Sequence, residues 1–267
     1  MLNGKIKLYE AGSCKHREFV LFKGGSFKNI DIPAIVGFIK DEENILIDTG
    51  YGYSFFKNTN KFPQRLYSLI TPVTLNNTIK EQIKKEKVDY IFITHFHADH
   101  IGGLEYFPKS KFICSKKGYD AISNKNKNSL QKVLKGFLPK LLPLDFENRV
   151  IFIEDLPKLN KEELLNSKFK DVFATGYKFL DKYYIFELKG HSEGQYGIVI
   201  EDCFFVGDSV WNIKTITEDK FPNIVSRLIM ENYNDFKETV SKLKKLYFND
   251  IKIIPTHCKT TFNKYKE

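Results

Sequence analysis

The chain has 267 residues and a formal net charge of +9 at pH 7, with 42 basic residues against 33 acidic ones. Hydrophobic residues make up 42% of the chain and aromatic residues 15%, which excludes a disordered protein. Only four of the 42 basic residues are arginines, and the lysines are scattered. The positive charge therefore does not predict a nucleic-acid-binding surface.

The location and organisation of the protein can also be predicted. The first residues, Met1-Leu2-Asn3-Gly4-Lys5, lack the apolar stretch of a secretory signal, and no segment approaches the ~20 apolar residues of a membrane span. We therefore expect a cytoplasmic protein. No linker, repeat or low-complexity tract divides the chain, so a single domain over residues 1–267 is the simplest organisation.

The first fifty residues are predicted to form strands. Short apolar or alternating runs cover residues 5–9, 19–22, 34–39 and 44–47, between glycine and acidic turns. The last of them leads into Asp48-Thr49-Gly50, a sharp exit from a strand. The following segment, residues 51–75, is rich in aromatic side chains and irregular, which indicates a loop or short helices lying over the body of the protein.

Helical spacing is found in the next part of the chain. Residues 77–87 are predicted to form a helix before strands at 89–94 and 111–114. In the lysine-rich segment 116–142, apolar residues recur from Leu130 to Phe137, and Pro139 should end that run. We interpret it as an amphipathic helix packed on the body, with membrane-surface binding as the alternative. Segments 51–75 and 116–142 are the expected cap elements.

The C-terminal half is predicted to be mainly strands, followed by one long helix. The helix covers residues 234–247, where four apolar side chains share one face. The predicted strands cover residues 150–153, 171–174, 183–188, 198–200, 203–206 and 251–254.

A cluster of potential metal ligands follows the strand at 89–94. Residues 95–100 are His-Phe-His-Ala-Asp-His, and they hold three of the six histidines of the chain. Imidazole and carboxylate groups at such short spacing are typical of metal sites.

More candidate ligands stand at the ends of later strands. His191 and Asp208 each follow a glycine, which lets the backbone approach closely, and His257 follows the last strand. Alone, each histidine would more often be structural, Asp208 a turn residue and Asp99 a helix N-cap. Together they predict a site for two divalent metal ions. The candidate ligands are His95, His97, Asp99, His100, His191, Asp208 and His257.

The order of these motifs resembles that of the metallo-β-lactamase superfamily. The matching pieces are Asp48-Thr49-Gly50, the segment 94–103 with its His-x-His-x-Asp-His motif, Gly190-His191-Ser192, Gly207-Asp208 and Thr256-His257. The resemblance implies an α/β fold, a four-layer αβ/βα sandwich with the metals at one edge of two sheets. It also implies that His95, His97 and His191 hold one metal, that Asp99, His100 and His257 hold the second, and that Asp208 bridges them.

Within that superfamily the ligand set looks like those of the N-acyl-homoserine lactonases and glyoxalase II. The lactonases place a tyrosine three residues after the bridging aspartate, whereas this chain has Trp211 there. Indole can donate a hydrogen bond but cannot transfer a phenolic proton. Either another tyrosine serves (Tyr51, Tyr53, Tyr177 or Tyr233), or the substrate is not a homoserine lactone. We expect Trp211, Tyr51 and Tyr53 to contact the substrate, although Trp211 could equally be a core residue.

The resemblance implies a metal-dependent hydrolase. Two metals would lower the pKa of a bridging water, so that hydroxide attacks an ester, lactone or thioester of a small molecule. Asp99 or Asp208 could accept a proton, which makes them the candidate catalytic residues. Zn²⁺ is the default metal, and Mn²⁺ and Fe are compatible with these ligands. The alternatives are a phosphodiesterase or nuclease and a metal-binding regulatory protein with little turnover.

Overall fold

The computed structural model describes residue 2 and residues 4–266. Within these residues the strands form two β-sheets. The strands are β1 (Ile6–Arg17), β2 (Asn29–Ile39), β3 (Ile45–Ile47), β4 (Val73–Thr74), β5 (Tyr90–Phe92), β6 (Lys111–Cys114), β7 (Val150–Phe152), β8 (Tyr177–Phe179), β9 (Tyr183–Glu187), β10 (Tyr196–Ile200), β11 (Cys203–Gly207) and β12 (Lys252–Pro255).

Most of the helices are short, and α12 is the long one. They are α1 (Glu18–Leu21), α2 (Tyr53–Asn58), α3 (Arg65–Ile70), α4 (Ile79–Gln82), α5 (Ala98–Ile101), α6 (Lys116–Ser123), α7 (Ser129–Leu134), α8 (Phe146–Arg149), α9 (Lys161–Leu165), α10 (Lys214–Thr217), α11 (Ile224–Arg227), α12 (Tyr233–Phe248) and α13 (Lys259–Tyr265). No helix of the described residues is both long and apolar enough to cross a membrane.

The order of the strands brings several strand ends to one edge. The first sheet runs β4-β1-β2-β3-β5-β6-β7, and the second runs β12-β11-β10-β9-β8. Strands β3, β5, β6 and β7 are mutually parallel, as are β11 and β12. Parallel neighbours place their carboxyl ends at the same edge of a sheet, where sites in α/β folds are commonly built.

Three layers of apolar side chains hold the sheets and helices together. Between the sheets, Phe92 and Ile47 of the first pack with Ile198 and Phe205 of the second. The outer face of the first sheet is covered by α4, α5 and α6. The outer face of the second is covered by α12, whose buried residues recur at helical spacing. The order helix, sheet, sheet, helix is that of a four-layer sandwich, and the predicted fold class is confirmed.

Two predicted strands are wrong. Residues 19–21 form most of α1, and Phe22 follows the helix in an extended conformation. The ring of Phe19 packs against that of Phe27, with centroids 5.3 Å apart. Residues 171–174 form a turn, and Phe173 stacks on Phe186 with ring centroids 4.4 Å apart. Both runs are apolar because they contact the core, and so short an apolar run does not distinguish a strand from a turn of helix.

The predicted helices are shorter than expected in two places. Residues 77–87 hold only α4, a single turn that begins with a capping box between Thr78 and Glu81. Segment 116–142 holds two α-helices, α6 and α7, and a short 3₁₀ helix at Pro139–Leu141, instead of one helix. Leu134 is 56% exposed, so the predicted apolar stripe is only partly buried. Phe137 is buried because it leaves the helix and packs against His97, with ring centroids 5.7 Å apart.

Candidate metal centre

Seven polar side chains converge where the strands of the two sheets end. The segment 95–100 follows β5 and runs into α5, His191 follows β9, Asp208 follows β11, and His257 follows β12. All of them are buried. They form two groups, each with its candidate ligand atoms within 4.8 Å of one another. The first group is His95, His97, His191 and Asp208, and the second is Asp99, His100 and His257.

Glycines allow this close approach. Gly190 has φ +116°, and a Cβ atom there would lie 2.1 Å from the backbone nitrogen of Phe236. Gly207 has φ +53° and packs directly against the side chain of Thr94. Each precedes a candidate ligand, so the backbone that positions His191 and Asp208 fits only when no side chain intervenes.

Asp208 contacts both groups. Its Oδ2 lies 3.3 Å from Nε2 of His191 in the first group, while its Oδ1 lies 3.3 Å from Nε2 of His100 and 3.1 Å from Nε2 of His257 in the second. Within the first group, Nδ1 of His97 lies 3.0 Å from Nε2 of His95 and 3.1 Å from Nε2 of His191. A carboxylate placed in this way could bridge two ions.

Neighbouring groups orient the imidazoles. Asp48 has φ +58° at the end of β3, and its Oδ2 accepts a hydrogen bond from Nδ1 of His100 at 2.7 Å. Its Oδ1 accepts one from the backbone N–H of Thr94 at 2.8 Å. The carbonyl of Pro33 accepts one from Nδ1 of His257 at 2.7 Å. Such contacts fix the tautomer that leaves Nε2 facing the site.

The electrostatics divide the histidines into two classes. Burial lowers the pKa of His95 and His97, and it lowers that of His191 to about 3. Burial also disfavours charge on His100, but the carboxylates of Asp48, Asp99 and Asp208 outweigh it and raise its pKa to about 10.

The same opposing effects act on the two candidate carboxylates. Burial favours protonation of Asp99, but His100 and His257 outweigh it and lower its pKa to about 2. Nearby histidines likewise hold the pKa of Asp208 well below its usual range against the effect of burial. Burial disfavours charge on His257, but Asp208 and Asp99 outweigh it and raise the pKa of His257 well above the usual value for histidine. Both carboxylates are therefore ionised at neutral pH, as metal ligands must be.

The residues fit a metal centre. Among the described residues, Nε2 of His100, Nδ1 of His191 and Oδ1 of Asp208 are buried without a hydrogen-bond partner. Unpaired buried polar atoms are costly, and nitrogen and carboxylate donors at this spacing suit first-row divalent ions. Bound cations would satisfy Nε2 of His100 and Oδ1 of Asp208.

A cavity of about 330 Å³ opens onto the centre. His97, Asp99, His191, Asp208 and His257 face it from the metal side. Apolar side chains from α1, β2, α3, α11 and the segment after α11 form much of the remaining wall: Val20, Leu21, Ile32, Ile70, Val225 and Ile229.

The structure brings two of the three predicted substrate contacts to this cavity. Trp211 lines it, and its indole Nε1–H donates to Oδ2 of Asp208 at 3.1 Å. Tyr51 lines it and is fully buried. Tyr53 does not line it: it is 46% exposed, and its hydroxyl lies 3.5 Å from Glu81.

Three titratable residues of the wall were not predicted from the sequence. Cys14 and His16 come from β1, and Tyr67 comes from α3. Burial raises the pKa of Cys14 to about 12 and lowers that of His16. Tyr67 lies in the aromatic segment singled out from the sequence, but no motif marked it.

The metallo-beta-lactamase superfamily model matches residues 34–248 of the chain, which span the 95–100 motif, His191 and Asp208. The chain belongs to the metallo-beta-lactamase superfamily. As a superfamily hydrolase it carries two His/Asp groups that could bind metal.

Solved structures share the fold. An N-acyl homoserine lactone hydrolase with N-hexanoyl-L-homoserine at its catalytic metal centre has a TM-score of 0.66 and 16% identity, covering 100% of this chain and 98% of its own. AidC, a dizinc quorum-quenching lactonase, has a TM-score of 0.64 and 17% identity, covering 97% and 90%. A probable metal-dependent hydrolase from Staphylococcus aureus has a TM-score of 0.67 and 16% identity, covering 97% and 91%.

Proposed function

We propose that this protein is a dinuclear metal-dependent hydrolase of esters, lactones or thioesters with an apolar acyl group. The observation that carries this proposal is the apolar cavity that opens directly onto the two groups of candidate ligands. A substrate that buries an acyl chain against Ile32, Ile70 and Ile229 would present its carbonyl to the centre.

The roles of the ligands follow the superfamily resemblance. His95, His97 and His191 would hold one ion, Asp99, His100 and His257 the other, and Asp208 would contact both. Two bound divalent ions, with Zn²⁺ the default and Mn²⁺ or Fe compatible, would activate water and polarise the carbonyl. AidC is a dizinc lactonase, which supports zinc as the first metal to test.

The chain itself supplies the proton acceptors and the cavity wall. Asp99 and Asp208 face the cavity as ionised carboxylates, and either can accept the proton released when water adds to the carbonyl. Trp211 and Tyr51 would contact the substrate. Because Trp211 donates to Asp208 and offers no phenol, we expect weak activity on simple homoserine lactones.

Segment 51–75 would act as a cap, because Tyr51, Tyr67, Ile70 and Thr71 all line the cavity. The expected cap role of segment 116–142 rests on the contact of Phe137 with His97. We also propose that the protein is a single domain, that its substrate is a small molecule and that it is located in the cytoplasm.

The experiment is a substrate panel with metal-loaded protein. It compares acyl esters, lactones and thioesters of increasing acyl length with bis-p-nitrophenyl phosphate. We expect hydrolysis of at least one acyl class, with kcat/KM rising with acyl length until the cavity is filled. Turnover of the phosphodiester alone would favour a phosphodiesterase, and turnover of none would favour a regulatory protein.

A pair of variants tests the role of the cavity. Val225→Trp places a large ring at the cavity wall, and Leu165→Trp places the same ring on a similarly exposed helical position outside that wall. Val225→Trp should raise KM for long acyl chains more than for short ones, and Leu165→Trp should leave both unchanged. Equal effects of the two substitutions would contradict an acyl-binding cavity.

A further inference from the structure

Four segments of the chain meet around the mouth of the cavity. α1 and α11 are neighbours, because the hydroxyl of Ser226 donates to the carbonyl of Val20. Ile70 of α3 lines the cavity together with Val225 and Ile229, and α7 packs against α3. These segments form a surface termed the mouth face, which comprises residues 19–28, 51–75, 124–142 and 222–230.

The mouth face holds most of the exposed apolar side chains. Among the described residues, 15 large hydrophobic side chains are exposed, and 12 of them belong to this face. Three of the 12, Ile70, Val225 and Ile229, also line the cavity. So dense a group of exposed apolar side chains marks an interaction site. The 12 side chains are Phe27, Tyr53, Phe56, Phe62, Leu69, Ile70, Leu130, Leu134, Ile224, Val225, Leu228 and Ile229.

The mouth face also accounts for the net positive charge of the protein. Its four segments hold 11 of the 42 basic residues and none of the 33 acidic ones, so that the rest of the chain has 31 basic residues against 33 acidic. Within residues 4–266, only one of the 11 forms an ion pair, Lys127 with Glu193 at 3.5 Å. The 11 residues are Lys23, Lys28, Lys57, Lys61, Arg65, Lys125, Lys127, Lys132, Lys135, Lys140 and Arg227.

The acidic residues that flank these segments do not neutralise them. Glu231 pairs with Lys117 of α6 at 3.2 Å, and Glu18 accepts a hydrogen bond from the backbone N–H of Ser26 at 2.9 Å. The face therefore presents unpaired positive charges among protruding apolar side chains.

This combination favours a lipid surface as the occupant. A second copy of the chain would bring two positive faces together, and like charges repel. A protein partner would need a surface shaped to each protruding side chain, whereas fluid lipid adapts to them. Apolar side chains enter the boundary between headgroups and acyl chains, and anionic headgroups attract lysines.

We propose that the mouth face docks on a lipid membrane with anionic headgroups. Its apolar side chains enter the headgroup layer, and its lysines contact the headgroups. Docking goes beyond the proposed hydrolysis and does not depend on it. Because the cavity opens at the same face, an acyl chain that leaves the bilayer would enter between Ile70, Val225 and Ile229, a route that rests on the proposed function.

The test is co-sedimentation of the metal-loaded full chain with lipid vesicles. One set of vesicles has equal parts of phosphatidylglycerol and phosphatidylcholine, and the other has phosphatidylcholine alone. We expect binding to the anionic vesicles and at least about 25-fold weaker binding to the neutral ones, since each basic residue at an anionic surface contributes about fivefold. About 1 M salt should weaken the anionic binding, because it screens charges beyond about 3 Å.

One pair of variants tests the apolar side chains. The double variant Ile224→Ser with Leu228→Ser changes residues that are 72% and 78% exposed and do not line the cavity. It should weaken binding to the anionic vesicles about 10-fold or more, the size expected for burial of one such side chain. The control is Leu165→Ser with Phe248→Ser, two exposed positions outside the mouth face, which should leave binding within about twofold.

A second pair tests the charges. Lys61→Ser with Arg65→Ser removes two exposed basic residues of the face and should weaken binding about 25-fold. Lys168→Ser with Lys170→Ser removes two exposed lysines elsewhere and should change binding by less than about twofold.

The outcomes decide between occupants and are independent of turnover. Absence of binding by the wild-type protein, or equal losses in the test and control variants, would overturn the proposal. A dimer in sedimentation equilibrium that Ile224→Ser with Leu228→Ser dissociates, without vesicle binding, would show that a second copy covers the face. Failure of any of these leaves the proposed hydrolysis standing, and an inactive substrate panel leaves the docking standing.

Discussion

Replacement of Asp48 by asparagine should weaken one metal site without disturbing the fold. Asp48 is buried and accepts hydrogen bonds from Nδ1 of His100, from the hydroxyl of Thr94 and from its backbone N–H, at 2.7, 2.8 and 2.8 Å. Asparagine has the same shape but only one acceptor oxygen. Its amide NH₂ must therefore face either the N–H of His100 or the backbone N–H of Thr94.

The size of the expected loss of metal affinity follows from the hydrogen bond between Asp48 and the candidate ligand His100. Loss of a carboxylate that orients a metal-binding histidine typically weakens metal affinity about 10- to 100-fold, which corresponds to about 1.4–2.7 kcal/mol. The effect should fall on the group that contains His100, so that one ion dissociates before the other.

The assay is competition for metal between the protein and a chromophoric chelator. Asp120→Asn is the control, since Asp120 pairs with Lys116 at an exposed position on α6 and should not affect metal affinity. If both dissociation constants of Asp48→Asn stay within about twofold of wild type, the orienting role deduced for Asp48 is wrong.

Three further predictions concern the same centre. Asp208→Ala should lower metal occupancy and turnover together, because the carboxylate between the two cations is lost; an elemental analysis that still finds both ions would refute the bridging role. Metal affinity should rise as pH increases from 7 towards 10, because binding must displace the proton that His100 holds with a pKa of about 10. Calorimetry in two buffers of different ionisation enthalpy should detect that proton release, and a heat independent of buffer would exclude it. The emission of Trp211 should change when metal is removed, because its indole N–H donates to Asp208; an identical spectrum with and without metal would place Asp208 outside the centre.

Most of the ligand set could be predicted from the sequence because its members are marked locally. Residues 95–100 stand in one turn after a strand, and His191 and Asp208 each follow a glycine. The topology then needs only to bring the strand ends to one edge, which the parallel pairing of β3 with β5 and of β11 with β12 does. The four-layer fold could be predicted because the order of these motifs resembles that of the metallo-β-lactamase superfamily, and the resemblance implies this fold.

The rest of the cavity was not predictable, because tertiary packing determines it. His16 and Tyr67 reach the same cavity from β1 and α3, which are separated by about fifty residues in the chain, and neither lies in a motif. Tyr53 belongs to the same aromatic segment as Tyr67, yet it faces Glu81, since only the packing of α2 and α3 decides which ring faces inward. The prediction of a strand at residues 171–174 was wrong because Phe173, although buried, lies in a turn.

The most direct test of the metal centre is the anomalous difference density of a crystal of zinc-loaded protein. We expect two peaks per chain, one beside His95, His97 and His191, the other beside Asp99, His100 and His257, with Asp208 contacting both. A single peak, or peaks away from these residues, would contradict a dinuclear centre.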